Sequence, residues 1–473
     1  SKIYCFYDCD VLMEGYIKFK QMVKQICSLN IDNYISISSI AHQYMLNKNV
    51  YHNVCEVKGL SREFIQKCIV GGRVMCSQNK PCHIKGDNIR IQDFDAVSLY
   101  PSAMSRIGIP CGKPETFENI SYEQIKTKYH TFFCKIKILK VGIKRKFPLV
   151  NFKDDKGIRQ FNDNIQNYID KYIYVDNISL EDLINFQQVE FKIICGEGFT
   201  QKRNLKIQRE IKYLFNKRLK YKKEKNPIQE VIKLLMNSVY GKTTLRPISK
   251  EKIIKNTKED CIKYVSQNHN NIEYFEPLGF ETEHYVVKRN NSIYSHQNYA
   301  HVASLILSMS KRIMNEVMCL AEDLGIEIFY QDTDSMHLFE KDIELLSTEF
   351  KKKYNRELIG TNLGQFHCDF NFQSDETPYA VESIFLTKKV YCDKVRVINN
   401  GIEEFKYHIR MKGISTNAVL NKCKELNCTP MELYLKLYNG ETLEFNLVGG
   451  SMIKFKYNTD YTISTYDEFN RKI

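Results

Sequence analysis

The sequence has no apolar run near the roughly 18 residues that a membrane-spanning helix needs, and its opening residues lack the hydrophobic core of a signal peptide. It contains no tryptophan and no clear internal repeat. Its 16 cysteines include no Cys-x-x-Cys pair, and most lie singly in apolar stretches. These absences argue against a membrane protein and against a secreted disulfide scaffold. They predict a soluble, intracellular protein with reduced thiols.

Three residues of types that bind zinc, Cys76, Cys82 and His83, lie close together in the chain. A structural zinc site takes four ligands, and no fourth residue follows at a suitable spacing. A zinc site is therefore not expected here.

The chain is basic, and its charge is unevenly spread. Its 473 residues, 43% apolar and 26% charged, have globular composition and suffice for roughly three domains. Within the net charge of +13, residues 201–225 carry 11 Lys or Arg against 2 acidic residues, with Tyr213, Phe215 and Tyr221 interleaved. Such a run is typical of a solvated helix face or of a surface that binds a polyanion. Its continuation into a motif at Lys233 favours the polyanion.

Hydrophobic periodicity predicts the elements that carry the polar motifs. Helices are predicted over residues 8–29, 203–224, 227–240 and 298–324. Asn226-Pro227 separates the middle two, and Gly325 is the predicted C-cap of the last. Strands are predicted over residues 89–94, 132–139, 326–330 and 336–339. The last two strands would form a hairpin.

The remaining segments are assigned more coarsely. Gly71-Gly72 is predicted to be a linker that enters a sheet, and Ala96 to Ser102 to form a turn after a strand. Residues 103–200 are predicted to be an inserted α+β subdomain. About the last 60 residues are predicted to be helical and polar.

Three carboxylates, Asp95, Asp332 and Asp334, fall at strand ends and at the tip of the predicted hairpin. On a hairpin, residues i and i+2 share a side unless the turn twists between them. Asp-Thr-Asp is also common in polar turns, but unpaired carboxylates beside apolar strands are costly without a cation. Oxygen ligands of this kind suit two Mg²⁺ ions engaged in phosphoryl transfer.

A second motif puts a cation, an amide and an aromatic ring on one helix face. Lys233, Asn237 and Gly241 recur at i, i+4 and i+8, with Tyr240 beside them. Lys233 could hold a triphosphate, with Arg218 and Lys222 of the preceding helix as the opposing clamp. The alternative is a lysine that extends from a core helix into solvent.

Together these segments resemble a known family. Asp95-Ala-Val-Ser-Leu-Tyr100-Pro-Ser, Lys233 to Gly241, and Tyr330-Gln-Asp-Thr-Asp-Ser335 resemble motifs A, B and C of family B DNA polymerases. Lys389-Val-Tyr391 is similar to the family's Lys-x-Tyr motif, and Lys412-Gly413 to its usual continuation. The resemblance covers nearly the whole chain. It implies a DNA-directed DNA polymerase.

The resemblance implies an α+β right-hand fold whose palm is an antiparallel sheet that carries the catalytic carboxylates. The implied divisions are an exonuclease tail (1–30), a linker region (31–75), a first palm segment (76–115), an insertion like a terminal-protein region (116–200), fingers (201–245), a second insertion (246–292), a second palm segment (293–395) and a thumb (396–473).

The resemblance also implies residue roles. Asp95, Asp332 and Asp334 are the expected catalytic residues, with Asp95 and Asp334 as direct ligands of two Mg²⁺ ions, or of Mn²⁺ in their place. Tyr100 is expected to exclude a ribose 2′-hydroxyl. The other expected nucleotide-binding residues are Ser98, Leu99, Arg218, Lys222, Lys233, Asn237 and Tyr240. The expected DNA-binding residues are Gly241, Thr333, Lys389, Tyr391 and Lys412. The expected partners are primer-template DNA and deoxynucleoside triphosphates, bound by a monomer without any membrane.

Tyr4 and Asp8 resemble the third motif of a proofreading exonuclease. The family's first two exonuclease motifs would lie upstream of residue 1. We therefore expect this chain to be a fragment, a split gene product or an incomplete reading of a longer polymerase, and we do not expect proofreading by it alone.

Two long insertions and the Gly71-Gly72 linker resemble the protein-primed subgroup, although Ile69 stands where that subgroup has a tyrosine. The resemblance implies a terminal protein as primer. It also implies an origin in a virus, a linear plasmid or a self-replicating transposon.

Two alternatives remain open at this point. A reverse transcriptase also uses an acidic palm hairpin, but such enzymes typically have adjacent aspartates where this chain has Asp332-Thr-Asp334. A catalytically inactive DNA-binding remnant is the second alternative. Template preference would distinguish a reverse transcriptase from a DNA-directed polymerase. Incorporation of a single nucleotide would exclude the inactive remnant.

Overall fold

The computed structural model describes residues 2–245, 248–279, 283–295, 297–447, 453–458, 462–467 and 470–473. Their helices are α1 (Lys2–Cys27), α2 (Ile37–Asn47), α3 (Gly59–Lys67), α4 (Leu99–Met104), α5 (Tyr122–Lys128), α6 (Asn177–Gln187), α7 (Lys206–Lys223), α8 (Ile228–Thr243), α9 (Lys258–Asn268), α10 (Ala300–Asp323), α11 (Ile343–Tyr354), α12 (Thr416–Glu425) and α13 (Pro430–Tyr438).

The strands of the first half are β1 (Val57–Lys58), β2 (Val74–Cys76), β3 (Cys82–Lys85), β4 (Ile91–Ala96), β5 (Glu115–Glu118), β6 (Thr131–Val141), β7 (Asn151–Lys153), β8 (Arg159–Phe161), β9 (Ile173–Asp176) and β10 (Val189–Phe199). Those of the second half are β11 (Lys250–Lys255), β12 (Ile272–Pro277), β13 (Tyr285–Asn290), β14 (Gln297–Asn298), β15 (Ile328–Asp332), β16 (Ser335–Phe339), β17 (Phe366–Cys368), β18 (Tyr379–Thr387), β19 (Val390–Asn399), β20 (Ile402–Met411), β21 (Glu444–Asn446), β22 (Ile453–Tyr457), β23 (Ile463–Asp467) and β24 (Asn470–Lys472).

The largest sheet in the described part of the chain has nine strands and positions the acidic motifs. Its main path is β2-β15-β16-β4-β18-β19-β20, with β17 paired to β4 and β3 paired to β18, and its pairs are antiparallel. Strand β4 is buried on both faces except near its end, which explains its apolar sequence. The α10 helix lies behind this sheet and is buried over most of its length, as its nearly continuous apolar pattern requires.

The basic segment forms the predicted helical hairpin of α7 and α8. The α7 helix buries Ile207, Ile211, Leu214 and Phe215, which recur at helical spacing, so its lysines point outward. Asn226 stabilises the turn, because its side-chain Oδ1 accepts a hydrogen bond from the backbone N–H of Ile228 at 3.0 Å. The Asn-Pro break is therefore confirmed.

Two further sheets form separate layers. Strands β5-β10-β6-β9 and helices α5 and α6 enclose their own hydrophobic core within the predicted α+β insertion. The insertion is attached to α10 by ion pairs, in which Arg312 Nε lies 2.6 Å from Asp182 Oδ1 and Arg145 Nη1 lies 2.7 Å from Asp323 Oδ1. Strands β11-β13-β12 and helix α9 form a smaller layer within residues 246–292.

Several predicted boundaries differ from the structure. Helix α1 begins at Lys2 rather than at residue 8, and the segment predicted as a turn contains helix α4 from Leu99 onward. Pro101 is tolerated there because it lies in the first turn, where its missing N–H has no intrahelical acceptor. The prediction that the last 60 residues are helical is wrong for residues 444–472, whose described parts include β21 to β24. Other parts of the predicted thumb and second insertion lie outside the described residues.

The large sheet crosses the predicted boundary between palm and thumb. The predicted boundary between palm and thumb, at 395/396, falls inside β19, and the sheet continues through β20. His83, one of the three residues of zinc-binding type in this region, lies with its Nε2 2.8 Å from Glu382 Oε1. No helix in the described ranges is long and apolar enough to cross a membrane.

Candidate active site

The hairpin between β15 and β16 turns at a strained residue. Thr333 has φ +61°, which is unfavourable for a β-branched side chain. The N–H of Asp334 donates to the carbonyl of Asp332 at 2.7 Å, and this i to i+2 bond is that of a γ-turn. The turn lets Asp332 and Asp334 have different partners although they are only two residues apart. Strain of this kind concentrates at functional sites.

Asp332 is neutralised by a lysine. Lys389 Nζ lies 2.8 Å from Oδ1 and 3.0 Å from Oδ2 of Asp332. The backbone of Lys389 is held in place because its N–H donates to the hydroxyl of Tyr330 at 2.8 Å. Asp332 therefore already has a cationic partner within the protein.

Asp334 instead faces Asp95. Strand β4 runs beside β16, with Asp95 opposite Ser335, and the N–H of Ala96 donates to the carbonyl of Asp334 at 2.8 Å. Burial raises the pKa of Asp95 to about 8, and the charges of Asp334, Asp93 and Asp369 contribute to this rise. Burial also raises the pKa of Asp334. This half-buried pair of carboxylates, whose pKa values are raised by burial and by neighbouring carboxylates, is suited to bind cations.

We expect Asp95→Asn to stabilise the metal-free protein. A carboxyl whose pKa is raised in the folded state contributes most stability below its unfolded pKa near 3.9, and this contribution is lost as pH rises through about 8. At pH 8 in EDTA the variant should therefore gain about 1–2 kcal/mol in free energy of unfolding. The measurement is urea denaturation at pH 8 and pH 5.

At pH 5 the difference between the two proteins should shrink. Added Mg²⁺ should stabilise the wild type more than the variant, because only the wild type keeps both ligands. A variant less stable than the wild type in EDTA at pH 8 would contradict the conclusion that the ionised Asp95 carboxylate destabilises the metal-free protein.

The α7–α8 hairpin supplies the opposing charge. A cavity of about 530 Å³ lies between it and β4. Carboxylates line one side and cations the other, and the lining residues are Asp95, Val97, Ser98, Phe215, Arg218, Leu219, Lys222, Lys223, Lys233, Thr361, His367 and Asp369. Arg218 Nη1 lies 3.4 Å from Ser98 Oγ, and burial lowers the pKa of this guanidinium. The cavity thus brings together Asp95, Ser98 and all three predicted triphosphate-binding cations.

The aromatic pair at the edge of this site is also assembled. The rings of Tyr100 and Tyr240 stack with centroids 4.9 Å apart and planes 3° apart. Leu99 is buried at the start of α4, while Asn237 lies one turn after Lys233 on the exposed face of α8. Ser98 precedes α4 in the left-handed conformation, with φ +49°.

Sequence reasoning missed three residues of this cavity. Strand β17 pairs with β4 so that His367 lies opposite Asp95, and the N–H of Asp369 donates to the carbonyl of Asp93 at 2.9 Å. Thr361 belongs to the loop before this strand. No local motif marks these residues, because their placement depends on a pairing with a strand far away in the chain. Lys223 was part of the basic run but was not singled out.

Two predicted DNA-binding residues, Tyr391 and Gly241, pack against other parts of the protein. Tyr391 is only 5% exposed and packs among Tyr330, Phe385 and His337. Its contact with DNA stays a prediction. Gly241 lies where α8 crosses α2, and a Cβ there would meet the Ser38 hydroxyl at 2.9 Å.

Lys412, Tyr4 and Asp8, which the resemblance also marks as functional, lie at the surface. Lys412 is exposed next to Lys389, whose carbonyl accepts a hydrogen bond from its N–H at 2.9 Å. Tyr4 and Asp8 are exposed on the first turns of α1, whose buried residues Val23, Ile26 and Cys27 lie at the other end. DNA binding by Lys412 and an exonuclease role for Tyr4 and Asp8 stay predictions.

The Gly71-Gly72 segment enters the sheet as predicted, and it supports the hairpin of Asp332 and Asp334. The N–H of Thr333 donates to the carbonyl of Arg73 at 2.9 Å. A Cβ on Gly72 would lie 2.5 Å from Thr333 Cγ2, closer than real Cβ atoms approach. Thr333, predicted to contact DNA, thus packs against this glycine.

Arg73 connects the same segment to the insertion. Its buried guanidinium donates to the carbonyls of Phe147 and Pro148 at 3.0 and 3.1 Å, to Asn315 Oδ1 at 3.2 Å and to the side chain of Gln331. One side chain therefore joins the insertion, α10 and β15. Burial lowers its pKa to about 10, so it remains charged.

We expect Gly72→Ala to displace the hairpin tip. The new methyl group needs Thr333 to move, and the strained turn carries Asp334 with it. Any activity that depends on the expected catalytic residue Asp334 should fall about 10–100-fold, because displacements near 1 Å at a reacting site have effects of this size. Steady-state kinetics measures the loss.

Gly71→Ala is the matched control, because nothing lies within 4 Å of its added Cβ. Restoration of activity by the double variant Gly72→Ala/Thr333→Ser, which removes the clashing methyl group, is the second expected result. Equal activity of the two alanine variants would contradict the packing argument.

Comparisons with known proteins agree with this geometry. Residues 1–322 match the family model described as DNA polymerase type B, organellar and viral. A DNA polymerase of Kluyveromyces lactis is 24% identical over 466 residues, which cover 96% of this chain and 42% of that protein. A probable DNA polymerase of Ascobolus immersus is 24% identical over 440 residues, covering 89% of this chain and 32% of that protein. The chain thus spans less than half the length of these curated relatives.

Solved structures show the fold. Phi29 DNA polymerase in an orthorhombic crystal form has a TM-score of 0.61 at 15% identity, covering 94% of this chain and 69% of that one. The same polymerase complexed with primer-template DNA has a TM-score of 0.59, also at 15% identity, covering 93% and 68%. The predicted α+β right-hand fold with an antiparallel palm sheet is confirmed.

Proposed function

Since the chain belongs to the type B DNA polymerases of organelles and viruses, we propose that it is a DNA-directed DNA polymerase that adds deoxynucleotides to a primer 3′-hydroxyl. The observation that carries this proposal is the cavity in which Asp95, whose carboxyl interacts with the charge of Asp334, faces Arg218, Lys222 and Lys233. Acidic groups that collect metal ions opposite cations that collect phosphates are what phosphoryl transfer requires.

The residues present fit two divalent cations. Asp95 and Asp334 would hold them, since buried carboxylate oxygens form a hard donor set that suits Mg²⁺ or Mn²⁺. When bound, the ions supply charge that activates the 3′-hydroxyl and stabilises the pyrophosphate leaving group. Asp332 supports this pair indirectly through Lys389 and the backbone of the turn.

The chain's own residues orient the nucleotide. Lys233, Lys222 and Arg218 neutralise the triphosphate from the side of the α7–α8 hairpin, and Arg218 also contacts the Ser98 side chain beside it. Asn237 and Tyr240 follow on α8 toward the nascent base pair. The backbone amides of Ser98 and Leu99 at the start of α4 are the remaining proposed contacts.

Tyr100 sets sugar selectivity in this proposal. Its ring is held by stacking on Tyr240, so it cannot easily swing away from an added 2′-hydroxyl. Tyr100→Val should raise ribonucleotide incorporation relative to deoxynucleotide incorporation about 10–200-fold, the range that small steric differences in a pocket produce. The measurement is the ratio of kcat/KM values for dCTP and CTP.

Tyr240→Phe is the control, since it keeps the stacked ring beneath Tyr100. An unchanged ratio in Tyr100→Val, with normal use of dCTP, would exclude Tyr100 as the selectivity residue.

The experiment that tests the proposal is extension of a DNA primer on DNA and RNA templates with Mg²⁺ and deoxynucleotides or ribonucleotides. Extension on DNA with deoxynucleotides supports the proposal. Efficient extension on RNA would instead favour a reverse transcriptase. Binding of primer-template without incorporation of a single nucleotide, by a chain shown to be folded, would favour the non-catalytic DNA-binding remnant.

Protein priming is a finer component of the proposal. Its support is the separate insertion of β5, β6, β9 and β10, which Arg73 and Arg145 join to the palm side of the molecule. We infer that a terminal protein binds there and presents the first hydroxyl. Initiation only on oligonucleotides, with the terminal protein of the same replicon present, would remove this component and leave polymerisation intact.

A further inference from the structure

A second cluster of polar side chains lies in the same sheet, two residues along strand β4 from Asp95. His337 of β16 pairs with Asp93 of β4, and His408 of β20 pairs with Asp393 of β19. His337 Nδ1 lies 3.7 Å from Asp93 Oδ1, and His408 Nδ1 lies 3.2 Å from Asp393 Oδ2. Four strands of the palm sheet therefore contribute to one cluster.

The cluster leaves buried polar atoms without hydrogen bonds. His337 is 0% exposed and Asp93 is 8% exposed. Among the described residues, the ring nitrogens of His337 and Oδ1 of Asp93 make no hydrogen bond of normal geometry, and the nearest carboxylate oxygens lie 3.7 Å from Nδ1 (Asp93) and 3.5 Å from Nε2 (Asp393). The rings of Phe385 and Tyr391 pack against His337, so water has little access. Each buried unsatisfied group costs about 1–3 kcal/mol, which calls for a ligand.

We propose that Asp93, His337 and His408 bind one divalent transition-metal ion of the Zn²⁺ class, at a site separate from the Asp95–Asp334 pair. One ligand atom from each of the three residues lies within 4.8 Å of the other two. Two imidazoles and one carboxylate are ligands that Zn²⁺ accepts readily, whereas Mg²⁺ prefers oxygen ligands alone. These ligands therefore favour Zn²⁺ over Mg²⁺, the ion proposed for the Asp95–Asp334 pair.

Asp393 has the position of a carboxylate that orients both histidines. Its Oδ2 lies 3.2 Å from His408 Nδ1 and 3.5 Å from His337 Nε2, while the Ser383 hydroxyl donates to its Oδ1 at 2.7 Å. This arrangement leaves His337 Nδ1 on the side of Asp93. Metal-binding histidines commonly use their other nitrogen in this way, which fixes the ring and strengthens the ligand.

The site would join three strands of the palm sheet. Asp93 precedes Asp95 by two residues on β4, so the bound ion lies roughly 7 Å along the strand from the catalytic carboxylate. One ion would hold β4, β16 and β20 together and offset the negative charge of Asp93. This role does not depend on the polymerase activity proposed above.

The test is metal content of the untagged full chain after exposure to Zn²⁺ or Co²⁺ and dialysis. We expect close to one equivalent of either ion, with Co²⁺ giving the visible absorption of a low-symmetry nitrogen and oxygen site. His408→Gln should remove the ion, as should His337→Gln. Asp393→Asn should weaken binding about 10–100-fold.

Two controls make the test specific. Asp95→Asn should keep the ion, because it alters only the catalytic pair. His130→Gln removes an exposed histidine and should also keep it. If His337→Gln does not fold, His408→Gln and X-ray absorption of the Zn²⁺-loaded wild type, expected to show two imidazoles, decide the question. Folded wild type without the ion, or retention of the ion by His408→Gln, would overturn the proposal.

Discussion

Asp334→Asn is expected to lower kcat for nucleotide addition at least about 1,000-fold, whereas Asp332→Asn should lower it only about tenfold. The loss of a direct metal ligand removes several kcal/mol of transition-state stabilisation, and each 1.36 kcal/mol is a factor of ten in rate. Asp332 is different because its charge is already neutralised by Lys389 at 2.8 and 3.0 Å. Single-turnover extension in Mg²⁺ measures both values.

A double-variant comparison sharpens this prediction. In Asp332→Asn the ammonium of Lys389 loses its partner, so Lys389→Met should restore some of the activity of Asp332→Asn. The same second change should restore nothing to Asp334→Asn, since Asp334 does not share that ion pair. Equal loss in the two single variants would show that the hairpin carboxylates act as a unit.

Lys233→Met is expected to reduce kcat/KM for the incoming nucleotide about 100-fold, chiefly through KM. Lys233 lines the cavity opposite Asp95 and is exposed to it, so its ammonium is free to meet the triphosphate. Loss of a charged partner typically costs about 1.5–3 kcal/mol. The dependence of extension rate on nucleotide concentration separates KM from kcat.

Lys341→Met is the matched control, because Lys341 is an exposed lysine beside Phe339, outside the cavity lining. Lys233→Arg should recover some of the affinity, since it keeps the charge. A reduction of primer-template binding rather than nucleotide binding in Lys233→Met would place this lysine in the DNA path instead.

Local motifs could be predicted because the chemistry is encoded within a few residues. The hairpin of Asp332 and Asp334, the Asn226-Pro227 break and the Gly325 end of α10 each depend on their immediate neighbours, and each is found in the structure. The α7–α8 hairpin follows from apolar spacing alone. Interactions between residues close together in the sequence were sufficient to predict these elements.

Long-range partners could not be predicted in this way. Lys389 neutralises Asp332 and Arg73 reaches Gln331 across 57 and 258 residues of chain. The cluster of Asp93, His337 and His408 is equally non-local. Such partners depend on the order of the strands in the sheet. The hydrophobic periodicity of a single strand does not indicate that order.

Burial also distinguishes two residues of one motif. Tyr391 belongs to a Lys-x-Tyr sequence, yet Lys389 extends to the hairpin while Tyr391 lies in the aromatic core. Strand β20 was not predicted because it is largely exposed and rich in charge, so it lacks the apolar alternation that marks a half-buried strand.

The order of strands in the palm sheet constrains how the protein can be made. Strand β4 with Asp95 lies between strands that are translated much later, and Arg73 finds Gln331 only after 258 further residues. At about 5–20 residues per second on a ribosome, that interval lasts roughly ten seconds to a minute. During it the edges of β2 and β4 have no partner from β15 or β16. Nascent chains of this protein should therefore depend on chaperones that shield strand edges until the second half of the sheet arrives.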